Sequence, residues 1–410
     1  MRDHQLPTSP GFWRSPLRSP WFTSVLGIVL LGGITVLFVT GLVSYAAYNP
    51  DLSPVNDKTP DKGLLGFYLF AWPTDPPWLY RLTQGVHVTL GIVLIPVLLA
   101  KLWSVLPKLF TLPPVRSLAH ALERISLLLL VGGALFEFTT GVLNVQLDYL
   151  FPGSFYPLHF YGAWVFFAAF VTHAVLRVPA AIRNLRHLHD EESELVSPNP
   201  APPTVSRRGA LAFVGGGSLL LLATTAGRSF DGPLRATALL APHGGPEPGS
   251  GPGGFQINKT AASRGISTTE TSDEAWRLVI EGQRRTVRLS RTELLQLPLH
   301  SVALPIACVE GWSTSDQWWR GVRLRDLAAL VGYETGAAPD VLVESLQRRG
   351  AFRQAALRDN QVRDPRSLLA LFVNGESLTA DHGYPARIIV PAAPGVLNTK
   401  WVARMTFGEL

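Results

Sequence analysis

The sequence predicts a multi-domain protein in which an all-α bundle of about five transmembrane helices precedes an α+β domain. The mean hydropathy of +0.20, with only 16% charged residues, is too high for a chain that is soluble along its whole length. Long apolar stretches are confined to the part before residue 227, whereas short runs typical of strands and turns follow residue 275.

Charge and cysteine content narrow the classes of partner and cofactor. The chain has 36 Lys and Arg against 30 Asp and Glu. Basic loops beside apolar spans account for this excess, so we expect a lipid bilayer as partner and no nucleic acid. The single cysteine, Cys308, excludes a disulfide within the chain and any site that needs several cysteines. Cys308 is therefore either inert packing or one specialised thiolate.

Five apolar stretches are each long enough to cross the hydrocarbon core, which needs about 20 residues. They are residues 21–48, 85–106, 118–144, 158–178 and 209–226. The first is too long for a signal-peptide core and has no small-residue cleavage motif before Tyr45, so we interpret it as a retained span.

Lysine and arginine in short loops predict the orientation of the bundle. Basic residues precede the first span and lie between the second and third and between the fourth and fifth spans, while loops 49–84 and 145–157 have few. An odd number of spans then places the C-terminal domain outside the cytoplasm, on a cell (inner) membrane. In the first outer loop, residues 63–72 (GLLGFYLFAW) predict an aromatic interfacial segment.

Four histidines lie near the ends of the predicted spans. His159 and His173 are 14 residues apart, which places them on one helix face about 21 Å from each other. His87 is level with His159 at the outer side, and His120 with His173 at the inner side. Two facing pairs predict bis-imidazole ligation of one or two b-type haems. The alternative is that they are interfacial residues solvated by headgroups.

The 14-residue spacing resembles that of the di-haem cytochrome b subunits of formate dehydrogenases and hydrogenases, over about residues 20–180. The chain departs from that pattern because those cytochromes take a ligand from the first helix, and residues 21–48 contain no histidine. Glu137 lies in mid-span, so it must face the bundle. A proton or quinone role and a structural hydrogen bond to a neighbouring helix are both open.

The join between the two halves has two features. Ser206, Arg207 and Arg208 lead into the fifth span and look like an internal twin-arginine export signal, although positive-inside anchoring explains them too. Residues 236–238 (ATA) are a candidate cleavage site. Residues 227–265 are rich in Gly, Pro and Ser, which predicts a flexible linker with no packed core. The predicted domains are 1–190 (bundle), 191–227 (twin-arginine-like segment and fifth span), 228–270 (linker) and 271–410 (α+β domain).

Short elements are predicted throughout the α+β domain. Residues 276–281 and 285–289 predict a hairpin, and residues 291–296 a short helix. Residues 341–343, 368–373 and 387–390 predict strands of a mixed sheet.

Two motifs in this domain carry a resemblance. Residues 306–313 (IACVEGWS) are followed by 319–327 (WRGVRLRDL), and residues 382–391 (HGYPARIIVP) by Gly395 and 398–402 (NTKWV). In order and spacing they resemble the two signatures of sulfite-oxidase-fold molybdopterin enzymes, of the sulfite oxidase and periplasmic sulfoxide reductase type. The resemblance covers most of residues 275–410.

The resemblance implies a Mo-molybdopterin cofactor. Cys308 would supply the thiolate to molybdenum, and His382 and Arg387 would contact the pterin and its phosphate. Asn398, Thr399 and Lys400 would complete the cradle. A deprotonated soft sulfur suits a high-valent metal, and cations with backbone donors suit a phosphate. Residues 345–364 carry five arginines, which would either bind an oxyanion such as sulfite or form an exposed arginine-rich helix.

The function that follows is oxygen-atom transfer coupled to the quinone pool or to another membrane electron donor. We expect reduction of an S- or N-oxide, either a small molecule or a protein-bound sulfoxide. The alternatives are a sulfite dehydrogenase that works in the oxidative direction and a haem-free, membrane-anchored molybdopterin-binding protein.

Overall fold

The structure is a computed structural model that describes residues 10–52, 70–110, 117–145, 155–186, 205–230, 232–241, 254–349 and 352–410. The chain divides into two compact units. The first comprises Met1–Val39, Thr89–Leu143 and Leu158–Ala223, and the second Thr40–Val88, Asn144–Pro157 and Thr224–Leu410.

Six α-helices precede residue 226 in the described part of the chain. They are α1 (Pro20–Ala46), α2 (Leu79–Val93), α3 (Ile95–Val105), α4 (Leu118–Asn144), α5 (Tyr156–Arg186) and α6 (Arg207–Thr225). Four are long and apolar enough to cross a membrane, and α2 with α3 adds a fifth if that pair is one span. The pair bends by 42° beside Pro96, because proline lacks the N–H that would continue the helical hydrogen bonds. The predicted spans therefore coincide with helices.

The first unit buries one stripe of each helix. Its core contains Phe22, Leu26 and Leu30 of α1 together with Leu94, Leu98 and Phe166 among others. Gly33 makes the contact close, because a Cβ there would lie 2.5 Å from Leu94 Cδ1. Many large apolar side chains of α4 to α6 point outward, including Leu128, Val175 and Phe213. Such a surface is compatible with lipid contact.

The second unit contains two β-sheets built from short strands. In the first sheet the order is β2-β1-β10-β5-β6, formed by β1 (Leu278–Glu281), β2 (Thr286–Leu289), β5 (Val341–Ser345), β6 (Gln354–Leu357) and β10 (Val402–Phe407). In this sheet the β1–β10 pair is parallel and the other described pairs are antiparallel, so the sheet that contains residues 341–343 is mixed. The predicted strands 368–373 and 387–390 lie in the second sheet, whose described pairs are all antiparallel. The short helix α7 (Ala261–Arg264) precedes this sheet in the chain. The β1–β2 hairpin and the helix α8 (Arg291–Leu295), with its Ser290–Glu293 capping box, form where the sequence predicts them.

The second sheet contains β3 (His300–Leu304), β4 (Gln317–Arg323), β7 (Leu368–Val373), β8 (Glu376–Ser377) and β9 (Arg387–Ile389). Besides the β1–β2 hairpin, the sequence predicts β5, β7 and β9 but not β3, β4, β6, β8 or β10. Strand β4 alternates buried and exposed residues from Gln317 to Arg320, so a half-buried strand carries tryptophans on both faces. The main core lies between the sheets and α9 (Leu324–Leu330), and includes Trp276, Leu327, Val341, Leu371 and Met405.

The prediction of a flexible linker over residues 227–265 is wrong at both ends. Phe255 is 2% exposed, and its ring packs against the rings of Trp319 and His382, with centroids 5.6 and 3.9 Å away. Arg228 and Arg235 are also buried, in 3-10 turns that follow α6. Composition averaged over a window conceals single large side chains that anchor a segment. Residues 242–253 lie outside the described part.

Burial of single residues bears on two further predictions, namely the interfacial aromatic segment 63–72 and the candidate cleavage site 236–238. The sequence pattern predicts that Trp72 belongs to an interfacial aromatic segment, but Trp72 is fully buried and its Nε1–H donates to the carbonyl of Ala392 (2.7 Å). Of the rest of that segment, Phe70 and Ala71 are described, and residues 63–69 lie outside the described part of the chain. At the candidate cleavage site, Ala238 is buried and follows a 3-10 turn, which favours a retained tether.

The last turns of α1 and the first part of α2 belong to the same unit as the sheets. This division differs from the predicted domain boundaries. The side-chain amide of Asn49 donates to the carbonyl of Ala356 (3.1 Å) and to Gln361 Oε1 (2.9 Å). Asn360 in turn donates to the carbonyl of Trp72 (2.8 Å). These long-range hydrogen bonds join residues more than 280 positions apart, and sequence periodicity carries no signal for them.

Candidate active site around Cys308

Cys308 lies in the tight loop between β3 and β4, and its side chain is 4% exposed. The loop folds back on itself, because the N–H of Cys308 donates to the carbonyl of Trp312 (2.8 Å) and the N–H of Gly311 to the carbonyl of Cys308 (3.1 Å). Gly311 has a φ of +86°, a left-handed conformation that glycine adopts without steric cost. The fold thus presents one fixed thiol.

Burial, and then the charge of the neighbouring Glu310, raise the pKa of the Cys308 thiol well above its ordinary value. Burial also raises the pKa of Glu310, whose Oε2 accepts a hydrogen bond from Trp312 Nε1 (2.8 Å). The thiol is therefore neutral when nothing is bound to it. A metal ion would displace its proton, because a coordinated thiol ionises.

The residues of the second motif are buried together and linked to one another. Arg387 in β9 donates from Nη1 to the carbonyl of His382 (3.0 Å) and from Nη2 to the carbonyl of Asn398 (3.3 Å). The N–H of Ile388 donates to the carbonyl of Thr399 (2.9 Å). Lys400 Nζ donates to the carbonyl of Asp381 (2.7 Å). The predicted cradle residues therefore form one cluster.

Glycines bring the two motifs next to each other. The N–H of Gly395 donates to the carbonyl of Ala307 (2.7 Å), and a Cβ on Gly395 would lie 3.6 Å from the Cα of Cys308. A Cβ on Gly383, which has a φ of +112°, would lie 3.2 Å from Lys400 Cβ. The thiol loop and the cationic cluster consequently share one region of the fold.

The cationic groups are held where water cannot solvate them. Burial lowers the pKa of Arg387 to about 9. Burial, together with the charge of Arg387, also lowers the pKa of Lys400 well below its ordinary value. Grouped, desolvated cations are costly unless an anion accompanies them, so this cluster is suited to an anionic group.

His382 is neutral and both of its ring nitrogens have partners within the protein. Burial, and then the charges of Arg387 and Lys400, lower its pKa to about 4. Nε2 lies 3.2 Å from the carbonyl of Phe255 and must donate to it, so Nδ1 accepts from the hydroxyl of Thr379 (2.9 Å). A contact between His382 and a pterin would require one ring nitrogen to change its partner.

Several buried polar atoms in this region have no hydrogen-bond partner among the described residues. They are Arg387 Nε, Thr399 Oγ1, Ser313 Oγ and both amide atoms of Gln256. Native proteins rarely leave such groups unpaired. Guanidinium, hydroxyl and amide donors are the groups that bind phosphate and pterin heteroatoms, so the residues present fit a molybdopterin.

The site also contains residues that precede the α+β domain and that no sequence pattern predicts. Gln256 and Lys259 lie in the segment interpreted as a linker, and Lys400 Nζ donates to the carbonyl of Lys259 (3.0 Å). Arg228 is fully buried and its charge interacts with those of Glu310 and Cys308. No local pattern distinguishes these residues, because their position depends on long-range packing.

Aromatic residues that follow α1, precede α2 or lie in the first turn of α2 also reach this region. Tyr48, Trp72 and Tyr80 form a buried cluster with Ala307, the neighbour of Cys308. The ring of Tyr156 stacks on that of Tyr48, with centroids 5.1 Å apart. This aromatic cluster contributes apolar surface next to the thiol loop.

The arginine-rich segment 345–364 is not the exposed helix that was one of its two interpretations. It contains the end of β5, the strand β6 and the short helix α10 (Asp359–Arg363). Arg348, Arg358 and Arg363 form ion pairs with Glu270, Asp51 and Asp359, respectively. Carboxylates therefore engage at least three of the five arginines.

The two histidines that are predicted to lie at the outer side, His87 and His159, are each close to a neighbouring hydroxyl. His87 Nδ1 lies 3.3 Å from Thr40 Oγ1. His159 Nδ1 lies 3.0 Å from Thr140 Oγ1 and 3.1 Å from Glu137 Oε2. Glu137 is buried, as expected, and its carboxylate joins α4 to α5. Hydrogen bonds of this kind orient imidazoles that ligate metals, and they also occur in purely structural contacts.

The inner histidines are less well defined. His173 lies within α5 and is partly buried. His120 lies in the first turn of α4, and its side chain is outside the described residues.

A buried thiol beside desolvated cations and unpartnered donors is typical of a domain that binds an anionic, metal-bearing cofactor. Residues 266–409 match the family described as "Oxidoreductase molybdopterin binding domain". Residues 266–409 therefore form an oxidoreductase domain that binds molybdopterin.

Curated relatives are similar over this region. Mitochondrial sulfite oxidase of Drosophila melanogaster is 30% identical over 158 residues, which cover 33% of this chain and 28% of that protein. The uncharacterized oxidoreductase YuiH of Bacillus subtilis is 32% identical over 133 residues, 32% of this chain and 65% of that protein. The chain thus spans under a third of the length of the sulfite oxidase and about two thirds of YuiH.

Among solved structures, the sulfane dehydrogenase SoxCD of Paracoccus pantotrophus matches 33% of this chain and 39% of its own, at 25% identity and a TM-score of 0.30.

Proposed function

We propose that the chain is a membrane-bound, molybdenum-dependent oxidoreductase that takes electrons from the quinone pool and reduces an S- or N-oxide outside the cytoplasm. The observation that carries this proposal is the buried Cys308 thiol, whose charge interacts with that of the buried Lys400. In the same cluster, Arg387 Nε and Thr399 Oγ1 have no hydrogen-bond partner among the described residues. When bound, the molybdenum cofactor would supply the two-electron chemistry that oxygen-atom transfer requires.

The protein's own residues would hold this cofactor at two points. Cys308 would give up its proton and ligate the metal, and the buried cations Arg387 and Lys400 would bind the anionic end. Neutral His382, fixed by Thr379 and Phe255, would support the cradle without adding a third charge. Burial of the whole set would exclude water, and the low dielectric constant would strengthen each polar contact.

Electron supply through the membrane is the second part of the proposal. The four long apolar helices and the bent pair are compatible with a bundle that holds haem b. His87 and His159, each with Nδ1 beside a threonine hydroxyl, would be the outer ligands, and His120 and His173 the inner ones. Two one-electron transfers would then serve each oxygen-atom transfer.

Sulfite oxidation is a second candidate, because Arg228 favours an anionic substrate. Its side chain is 0% exposed, and Nε, Nη1 and Nη2 have no hydrogen-bond partner among the described residues. The charge of Glu310 partly offsets that of Arg228, but a buried guanidinium remains costly unless acceptors bind its five N–H groups. An oxyanion near Cys308 would meet that need, whereas a neutral sulfoxide would meet it only in part.

The test of the proposed function begins with the detergent-purified wild-type protein. We expect molybdenum by metal analysis, a b-type haem band in the reduced-minus-oxidised spectrum, and sulfoxide reduction with a reduced quinone analogue as donor. Loss of the haem band in His87→Ala would support the relay. If the wild-type protein contains molybdenum but no haem, the helices would serve only as a membrane anchor, and the electrons would come from an external donor.

A matched pair of arginine variants separates the two substrates. Arg228→Gln is compared with Arg291→Gln, a buried arginine whose Nη2 donates to Ser377 Oγ (3.1 Å). If sulfite is the substrate, Arg228→Gln should lower kcat/KM for sulfite about 100-fold, since loss of a charged hydrogen bond costs about 1.5–3 kcal/mol or more. If both variants reduce a neutral sulfoxide equally well and neither variant oxidises sulfite, the result would favour sulfoxide reduction as the activity.

A further inference from the structure

The loop that carries Cys308 satisfies only part of its backbone by itself. Besides the hydrogen bonds around Cys308, the N–H of Thr314 donates to the carbonyl of Ile306 (2.9 Å). The loop forms isolated bridges, not a ladder, through Ala307 to Ser313 and Pro394. The backbone carbonyl groups of Val309 and Gly311 need hydrogen-bond donors from outside the loop.

Those partners come from outside residues 266–409. The side-chain amide of Gln84, in α2, donates to the carbonyl of Val309 (2.5 Å). The hydroxyl of Ser229, which follows α6, donates to the carbonyl of Gly311 (2.8 Å). The N–H of Ser313 donates to the carbonyl of Arg228 (3.2 Å). Three hydrogen bonds therefore hold the loop from two segments that precede the oxidoreductase domain.

The two outer segments are also joined to each other. Arg81 Nε donates to the carbonyl of Ser229 (2.7 Å), and a Cβ on Gly85 would lie 3.1 Å from Ser229 Oγ. On the loop side, a Cβ on Gly311 would lie 2.8 Å from Val88 Cβ and 3.0 Å from Arg228 Nη2. Glycine on both sides allows this close approach, and the contact leaves no room for the loop to shift toward α2.

We propose that Gln84 and Ser229 are positioning residues for the metal site. They hold the Val309 and Gly311 carbonyls and thereby fix the direction in which the Cys308 sulfur points. The geometry of the molybdenum site is then set by residues that lie outside the oxidoreductase domain. This inference rests on the proposed function, in which Cys308 ligates molybdenum.

The experiment uses the full-length holoprotein and the variants Gln84→Ala, Ser229→Ala, Ser229→Thr and the double alanine variant. Leu82→Ala is the control, because Leu82 is in the same helix but points outward. The readouts are molybdenum content, the g-values of the Mo(V) electron paramagnetic resonance signal, the molybdenum midpoint potential and kcat. The spectroscopic signal reports the direction of the sulfur even if activity is lost for another reason.

We expect the alanine variants to retain molybdenum but to give shifted or broadened Mo(V) signals, with kcat lowered about two- to tenfold for each lost hydrogen bond. Ser229→Thr, which keeps the hydroxyl, should restore the wild-type signal, and Leu82→Ala should not change it. A double variant with the wild-type signal, potential and kcat would overturn the inference. A wild-type protein without molybdenum would refute the proposed function itself, which is a distinct result.

Discussion

The phenolic oxygens of Tyr48 and Tyr80 lie 3.0 Å apart in a buried site, so one hydroxyl donates to the other. Tyr48 follows α1 and Tyr80 begins α2, and both pack in the cluster that includes Ala307. One turn further along the helices, Ser44 Oγ donates to Thr83 Oγ1 (3.0 Å), and Thr40 reaches His87. These polar pairs run from a predicted haem ligand to the neighbourhood of Cys308.

Removal of one phenol from the tyrosine pair should destabilise the protein. We expect Tyr80→Phe to cost about 1–3 kcal/mol, because it removes the buried hydrogen bond between the two hydroxyl groups. The measurement is thermal unfolding of the detergent-solubilised holoprotein. The double variant Tyr48→Phe with Tyr80→Phe is the control and should be little worse than either single variant. Additive losses would show that the two hydroxyl groups are not coupled.

His382 should make stability depend on pH in acid. Its pKa is about 4 in the folded protein, against 6.5 for an ordinary histidine, so the unfolded chain binds more protons between these values. The free energy of unfolding should therefore increase by an amount on the order of 3 kcal/mol as the pH rises from 4 to 6.5. Below pH 4 both the folded and the unfolded chain bind this proton, so His382 adds no further pH dependence there.

The pH prediction is checked by measuring Tm against pH for the wild type and for His382→Gln. The glutamine variant should lose most of the slope between pH 4 and 6.5. An unchanged slope would assign the acid sensitivity to other groups, such as the carboxylates of the ion pairs.

Phe255 should anchor the segment before the oxidoreductase domain. We expect Phe255→Ala to destabilise the protein by about 3–5 kcal/mol, because it removes a buried ring that packs on Trp319 and His382. Trp318→Ala is the matched control, since Trp318 is an exposed aromatic residue on the other face of β4. Equal Tm values for Phe255→Ala and the wild type would support the original prediction of a flexible linker.

Cys308→Ala should abolish activity and leave the fold intact. The thiol contributes little packing volume, while the cationic cluster that would bind the anionic end of the cofactor is unchanged. Activity should fall by at least about 100-fold, the upper end of the losses caused by changes next to metal ligands. The Mo(V) signal should change and the pterin should be retained. Loss of pterin as well would show that the cluster around Arg387 is not sufficient to bind it.

The sequence by itself determined the elements that depend on local pattern. The apolar stretches gave the positions of the long helices, since about 20 consecutive apolar residues suffice to identify such a helix. The hairpin of β1 and β2, the strand β7 and the capped helix α8 also follow from nearest-neighbour signals. The motifs around Cys308 and Arg387 identified the oxidoreductase domain, because the spacing of their residues is specific even when the surrounding strands are not recognised.

Only the tertiary structure decided which distant residues complete the site. Gln84 lies in a predicted loop and Arg228 and Gln256 in a predicted linker, and nothing local marks them as neighbours of Cys308 or Arg387. Their placement results from long-range hydrogen bonds and from the burial of single side chains such as Phe255. Such contacts depend on how the chain packs as a whole, and periodicity and composition, which average over neighbouring residues, do not encode them.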